Sequence, residues 1–600
     1  MEKNRLLECL YMKLENLPQW DLSDLYSGPE AAELIADLDR ANSAADNFYK
    51  DYCGRVISLS AADLSIAIDK YETNEELLGR ISSFAQLYHA TKVSDREVGR
   101  FFQTTMERLS AITTKLIFFT LELNQLEDDA LQVLLENDPN LARYAPWLRD
   151  IRASRSHQLT EDQEKLLHEK QVTGRLSWVR LFDETLADLR FDLEGAQLSL
   201  EQALHILSEP NSDKRRAAAK ALSHGFKKQI SIFGLITNTL VKDKEIDDKW
   251  RGFTRPDSSR HLSNLVENEI VDALADAVQE AYPRLSHRYY SLKAKWFGQE
   301  SLDYWDRNAP PPGDDQQTFT FDAARDLVLD AYHQFSPAMA DIARQFFDNA
   351  WIDAPAIPGK SSGAFSHPTV PSVHPYLLLN YQGRTRDVMT LAHELGHGVH
   401  QVLAGKQGAL MADTPLTLAE TASVFGEQLA FRELLDRETE ITRRKAMLAS
   451  KTEDMLNTVV RQIAFYQFER RLHEERREGE LSVERICQIW MAVQGNSLGP
   501  AIRLHDEYKN FWCYIPHFIH SPFYVYAYAF GDCLVNSLYA SYQKADDGFA
   551  EKYMNMLKAG GTLRHKELLD PFGLDASDPE FWQQGLLVIE EFVDELEAMP

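Results

Sequence analysis

One stretch narrows what this chain can become more than any other: Thr390-Leu-Ala-His-Glu-Leu-Gly-His-Gly-Val-His400. Val388, Leu391, Ala392, Leu395, Val399, Val402 and Leu403 recur at helical spacing, Thr385 stands where a cap would, and Gly405 offers a stop. In such a helix His393 and His397 project from one face, about 6 Å apart along the axis. Two imidazoles so placed can reach one metal ion, and Glu394 can reach a water beside it. This H-E-x-x-H arrangement binds zinc and supplies a general base. With 18 histidines in the chain, chance supplies only about 0.04 such matches. The plainer reading, a helix with surface histidines, meets two objections. The helix is strongly apolar, so unpartnered imidazoles would be costly to bury. Gly396 and Gly398 also sit beside the pair, and a helix tolerates two glycines poorly unless something must approach closely.

A catalytic zinc takes three protein ligands and leaves a position for water. His400 lies about 10 Å along the axis from His393, out of reach of the same ion. The third ligand must come from another segment, and Glu420 in Leu418-Ala-Glu-Thr-Ala-Ser-Val-Phe-Gly-Glu427 is the best placed. Ala419, Ala422, Ser423 and Gly426 form a stripe of small residues at helical spacing, which allows close packing on the metal helix. Glu427, two turns on, could hydrogen-bond a ligand histidine from behind. Asp413 is the alternative ligand. Apolar neighbours argue against reading these acids as merely solvated.

Charge and composition exclude several classes. The net charge, 64 basic minus 92 acidic residues or −28, argues against polyanionic partners such as nucleic acid or an anionic membrane. No apolar run approaches 18 residues, and the first residues, with Glu2 and Glu8, lack a signal-peptide core. The five cysteines, Cys9, Cys53, Cys487, Cys513 and Cys533, contain no C-x-x-C pair, which fits reduced thiols in a cytoplasm.

Along the chain the pattern is almost entirely helical. Amphipathic stretches run over 30–49, 61–71 and 75–89, and 100–123 reads as one long helix. Leu189-Arg-Phe-Asp-Leu193 reads as a strand or hairpin edge. Asp213-Lys-Arg-Arg216 is explained by a solvated helix face. Asn308-Ala-Pro-Pro-Pro-Gly-Asp-Asp315 is a linker signal, and helix returns over 321–350. Tyr376-Leu-Leu-Leu-Asn-Tyr381 is a short strand that could offer an open edge to an extended peptide, or simply be buried. Helices follow over 418–435, 455–475 and 482–493. Gly359-Lys-Ser-Ser-Gly363 matches the serine-hydrolase G-x-S-x-G, but flanking prolines deny it the required strand and helix.

His393-Glu-Leu-Gly-His-Gly-Val-His400 with Ala419-Glu-Thr-Ala-Ser423 resembles the zinc oligopeptidase family of oligoendopeptidase F and thimet oligopeptidase, the former branch more closely. His374-Pro-Tyr-Leu-Leu-Leu-Asn-Tyr-Gln382, Ile515-Pro-His-Phe518, Phe523-Tyr-Val-Tyr526 and Leu17-Pro-Gln-Trp-Asp-Leu-Ser-Asp-Leu-Tyr26 resemble that branch too. The resemblance implies a mainly α fold, a two-lobed helical clamshell with a deep central channel and a small β element beside the zinc-binding helix. It implies one Zn²⁺ per chain on His393, His397 and Glu420, with Glu394 as general base. It matches His517 to a histidine that hydrogen-bonds the developing oxyanion, together with tyrosines. Tyr524 and Tyr528 are expected on one helix face, with Tyr526 pointing away. The implied activity is endopeptidase cleavage of short unfolded peptides. The alternative is a catalytically inactive peptide-binding protein of the same fold. The expected organisation is an N-terminal helical region over 1–115, an oligoendopeptidase F-type N-terminal domain over 116–200 and a zinc metallopeptidase domain over 201–590. Oligomeric state is not legible.

Overall fold

Leucine and alanine at helical spacing fold as that spacing requires: the described residues are mostly helix, 70%, with little strand. The computed structural model describes residues 17–311, 317–544 and 548–600. The expectations for Glu2, Glu8 and Cys9, and for the Pro312–Asp315 part of the linker signal, lie outside the described residues. No helix among the described residues is long and apolar enough to cross a membrane. The chain forms two compact, discontinuous units. One holds Met1–Arg155, Gln316–Arg437 and Ala545–Gly573, the other Ser156–Asp315, Glu438–Lys544 and Leu574–Pro600.

In the first unit, helices Ala32–Tyr52, Ala61–Ala90 and Arg96–Thr114 bury Leu34, Phe48, Ile68, Phe84 and Leu109 in one core. The stretches read over 61–71 and 75–89 are one helix, capped by the Ser60 hydroxyl. The stretch read over 100–123 is two, broken at Lys115-Leu116 before Ile117–Leu123. That turn lets Leu116, Phe119 and Leu123 all enter the core. The helix read over 321–350 is also two, Phe321–Phe335 and Pro337–Asp348, because Pro337 forces Ser336 into an extended conformation and cannot donate.

A three-stranded sheet precedes the histidine helix. Tyr376–Tyr381 pairs in parallel with Ile352–Pro355 on one side and antiparallel with Phe365–His367 on the other. It is therefore the central strand and offers no open edge, and its residues do not alternate because both of its faces are buried. Lys360 ties the connecting loop down: its Nζ donates to Asp353 Oδ1 at 2.5 Å, Leu379 O at 2.6 Å and Pro355 O at 2.8 Å. The Gly359–Gly363 match is thus a loop between strands, not a nucleophile turn.

The histidine helix spans Thr385–Ala404. Its cap is not Thr385 but Arg384, and Asp387 closes the end by accepting from the N–H groups of Arg384 at 2.9 Å and Gln382 at 3.0 Å. An ionised carboxylate suits the positive end of a helix better than a hydroxyl one residue further in. Gly405 leads into a short 3₁₀ turn, and Gly408, at φ +90°, reverses the chain. The segment read as one helix over 418–435 is two, Leu416–Ala419 and Thr421–Arg437, with Glu420 at the junction.

In the second unit a 40-residue helix, Ser212–Arg251, runs beside helices Val460–Arg476 and Val483–Leu498. The Asp213–Arg216 run is only partly solvated: Arg215 is buried and its Nε and Nη2 meet Asp306 Oδ1 at 3.0 and 2.6 Å. Phe191–Leu193 and Ala196–Leu198 form the hairpin read near Leu189. The helix read over 455–475 begins at Val460 instead, after Ile441–Thr458.

Within the first unit the histidine helix lies along Thr421–Arg437, and they touch most closely at Gly396. A Cβ there would lie 2.4 Å from Ala422 O and 2.7 Å from Ser423 Cα, both backbone atoms with nowhere to go. Gly396→Ala is therefore expected to lower the thermal midpoint, at a cost of about 1–3 kcal/mol. An unchanged melting curve would contradict this packing.

Candidate active site

Helical spacing carries His393 and His397 to one face of their helix, and the Gly396 contact brings the backbone around Glu420 within reach. His393 Nε2 lies 3.3 Å and His397 Nε2 3.4 Å from the same oxygen, Glu420 Oε2. Among the described residues these three form the one group of histidine, cysteine or acidic side chains able to hold a metal ion, with ligand atoms all within 4.8 Å. All three are partly exposed.

The surroundings hold each group in place. Tyr332 donates to Ala392 O at 2.6 Å, fixing the turn before His393. Tyr553 donates to Thr421 O at 2.8 Å, fixing the turn after Glu420. Ser423 donates to Glu420 Oε2 at 2.6 Å. Glu427 Oε2 sits 3.3 Å from His393 Nδ1. A proton on that Nδ1 leaves the Nε2 lone pair facing the cluster.

Electrostatics favour a cation here. Burial pushes the Glu420 carboxyl up, but its bond with His397, the charge of both histidines and the Ser423 hydroxyl outweigh this and hold it at about 2. Burial pushes His393 down, yet Glu427, Glu420 and Glu394 together raise it. Glu394 is buried beside the cluster, and its carboxyl is raised, mainly by burial, against the opposing pull of His393 and His397. Two imidazole nitrogens and a carboxylate oxygen converging on one point, one imidazole braced from behind, is a donor set suited to zinc.

His400 does not join the cluster. It is buried, held at about 4 by burial and the charge of His397, and meets the Thr414 hydroxyl at 3.4 Å. Asp413 is not part of the group either. With His397 and His400 it lines a cavity of about 660 Å³ along the helix, which Trp351, Val370 and His374 complete.

His517, Tyr524 and Tyr528 gather in the second unit. His517 Nε2 is 3.3 Å from the Tyr528 hydroxyl, and the two tyrosine rings are 5.3 Å apart. Tyr526 does point away: it is buried, and its hydroxyl accepts from Asn264 Nδ2 at 2.8 Å. Tyr524 and Tyr528 do not share a helix face, however. The helix begins at Tyr526, and Tyr524 stands in the turn before it, where Phe523 at φ +60° breaks the helical path.

Three of these supports, Ser423, Tyr332 and Tyr553, are not anticipated by the sequence. Ser423 was legible as a small residue, but its place three residues after Glu420, within reach of that carboxyl, was the usable signal. Tyr332 and Tyr553 come from distant helices and carry no such signal.

The family model described as Peptidase family M3 matches residues 205–587, and one described as Oligopeptidase F matches 122–191. The oligopeptidase PepF of Bacillus subtilis is 26% identical over 99% of this chain and 89% of its own. An oligoendopeptidase F homolog of Borreliella burgdorferi is 27% identical over 93% of this chain and 94% of its own. The crystal structure of oligoendopeptidase-F from Enterococcus faecium shares the fold at TM-score 0.68 and 21% identity, covering 94% of this chain and 99% of that one. With one family model spanning more than half its length, the chain belongs to peptidase family M3, and it is a peptidase.

Proposed function

We propose that this peptidase is a zinc-dependent endopeptidase acting on short unfolded oligopeptides. The observation that carries the reading is the convergence of His393 Nε2, His397 Nε2 and Glu420 Oε2, with the Glu394 carboxyl buried beside them. His393, His397 and Glu420 would hold one Zn²⁺. The ion, when bound, supplies Lewis-acid polarisation of the scissile carbonyl and brings the pKa of a water to about 7.

The remaining chemistry belongs to the side chains. Glu394 accepts the proton of the attacking water as its oxygen bonds to the carbonyl carbon. A carboxyl with a raised pKa is suited to pass that proton on. It delivers it to the amide nitrogen as the C–N bond breaks, leaving a new carboxylic acid and an amine, between which the remaining water proton then passes. His517 and the hydroxyls of Tyr524 and Tyr528 donate to the oxyanion; one such donor is typically worth about 3–4 kcal/mol. Glu427 keeps the His393 ring oriented. The −28 charge argues against nucleic acid or anionic membrane as partner. Among the described residues the cysteines Cys53, Cys487, Cys513 and Cys533 are free, which supports a reducing cytoplasm.

Incubating the purified protein with a mixture of short peptides and folded proteins tests the reading. Only the peptides should be cut. Cleavage should stop with a chelator, return with Zn²⁺, and fall by at least about 10²–10⁴ in Glu394→Gln. Cleavage that survives that substitution would remove Glu394 from the mechanism, and a protein that binds peptides without cutting them would be the inactive alternative. Separately, Glu427→Gln should weaken Zn²⁺ affinity about 10–100-fold by competition with a chromogenic chelator. An unaltered affinity would mean that Glu427 does not brace the ligand.

A further inference from the structure

The turn that delivers Tyr524 is held in an uncommon way. Phe523 is wholly buried and sits at φ +60°, a region that bulky side chains rarely adopt. The peptide unit joining Pro522 to Phe523 is gripped at both ends. Its carbonyl oxygen accepts from Arg260 Nε at 3.2 Å, and its N–H donates to Glu469 Oε1 at 2.8 Å. Glu469 projects from helix Val460–Arg476 and is completely buried. Its other oxygen, Oε2, is enclosed and has no hydrogen-bond partner among the described residues. Burial pushes this carboxyl up to about 8. A buried carboxyl spent on a single backbone donor is costly, so this peptide's orientation must matter.

The consequence for the neighbouring residues is geometric. Rotating the Pro522–Phe523 peptide plane would return Phe523 to negative φ, and Tyr524 is the next residue. The same Arg260 lies over the Tyr524 ring, 5.8 Å from its centroid. Tyr524 N–H donates to Ser521 O at 3.1 Å within this turn, and Tyr528 stands in the first turn of the helix that starts from it, its N–H donating to Val525 O at 3.3 Å. The Phe523 ring cannot absorb the movement, being set 4.7 Å from the His473 ring and 6.1 Å from that of Tyr466.

We propose that Glu469, with Arg260, is a positioning residue: by gripping the Pro522–Phe523 peptide it aims the Tyr524 and Tyr528 hydroxyls. This rests on the role proposed above for those tyrosines. Glu469 never meets the substrate. Its loss should lower kcat, where a transition-state donor acts, and leave ground-state binding alone.

The test is kcat and KM on one fluorescence-quenched peptide, at equal metal content, for Glu469→Leu, Glu469→Asp, Glu469→Gln, Tyr524→Phe and Tyr528→Phe. Glu469→Leu should lower kcat about tenfold or more with KM within about twofold. Glu469→Asp, one methylene too short to reach the Phe523 N–H, should fall in the same way, and it carries the comparison where the leucine variant does not fold. Glu469→Gln still presents an oxygen to that N–H and should stay within about threefold of the parent. Parent-like kcat in the leucine and aspartate variants, or a glutamine variant as impaired as they are, would overturn the proposal. The phenylalanine variants separate two failures. Unchanged kcat in both sinks the role of the tyrosines and this proposal with it. Lowered kcat in them beside a parent-like Glu469→Leu sinks the grip alone.

Discussion

Two helices touching backbone to backbone is the contact on which the site depends. With no side chain at Gly396, the backbone at Ala422 and Ser423 comes closer than any Cβ would permit. Only at that separation do the Glu420 carboxylate and the imidazoles of His393 and His397 reach a common point. A helix can set two histidines one turn apart by itself, but it cannot supply a third donor to the same point. The interhelical distance decides whether the pair is a surface feature or a cation site.

Once that approach is made, the rest of the first unit keeps it in register. Tyr332 and Tyr553 fasten main-chain carbonyls on either side of the contact, at Ala392 and Thr421. Ser423 and Glu427 fix the rotamers of a carboxylate and an imidazole. The last two hold side chains that would otherwise be free to turn, so the donors are aimed before any ion arrives. Preorganisation of this kind is what distinguishes a site from three suitable residues that happen to be near one another.

Much of this was legible in the linear chain, for identifiable reasons. The histidine helix and its apolar face follow from periods of three and four, which are local. Ala422 and Ser423 of the small-residue stripe make the close contact with the histidine helix that the stripe implies, whereas Gly426 faces Tyr332 instead. What was not legible depends on long-range partners. Asp387 rather than Thr385 closes the helix because a carboxylate three residues in can reach back. Arg215 looked like part of a charged surface until Asp306, about ninety positions away in the chain, was found beside it. Tyr376–Tyr381 was readable as a strand, yet its central place depends on Ile352–Pro355 and Phe365–His367. Tyr524 was placed on a helix by spacing, and only the backbone at Phe523, gripped by Glu469 and Arg260, shows that the helix has not begun.

The central claim, that two imidazoles and one carboxylate hold a single zinc ion, is most directly tested by anomalous diffraction from crystals of the active protein at the zinc absorption edge. The account predicts one peak per chain, at about 2.0–2.2 Å from His393 Nε2, His397 Nε2 and a Glu420 carboxylate oxygen. A protein that cleaves peptides while its only peak lies away from these three atoms would contradict it.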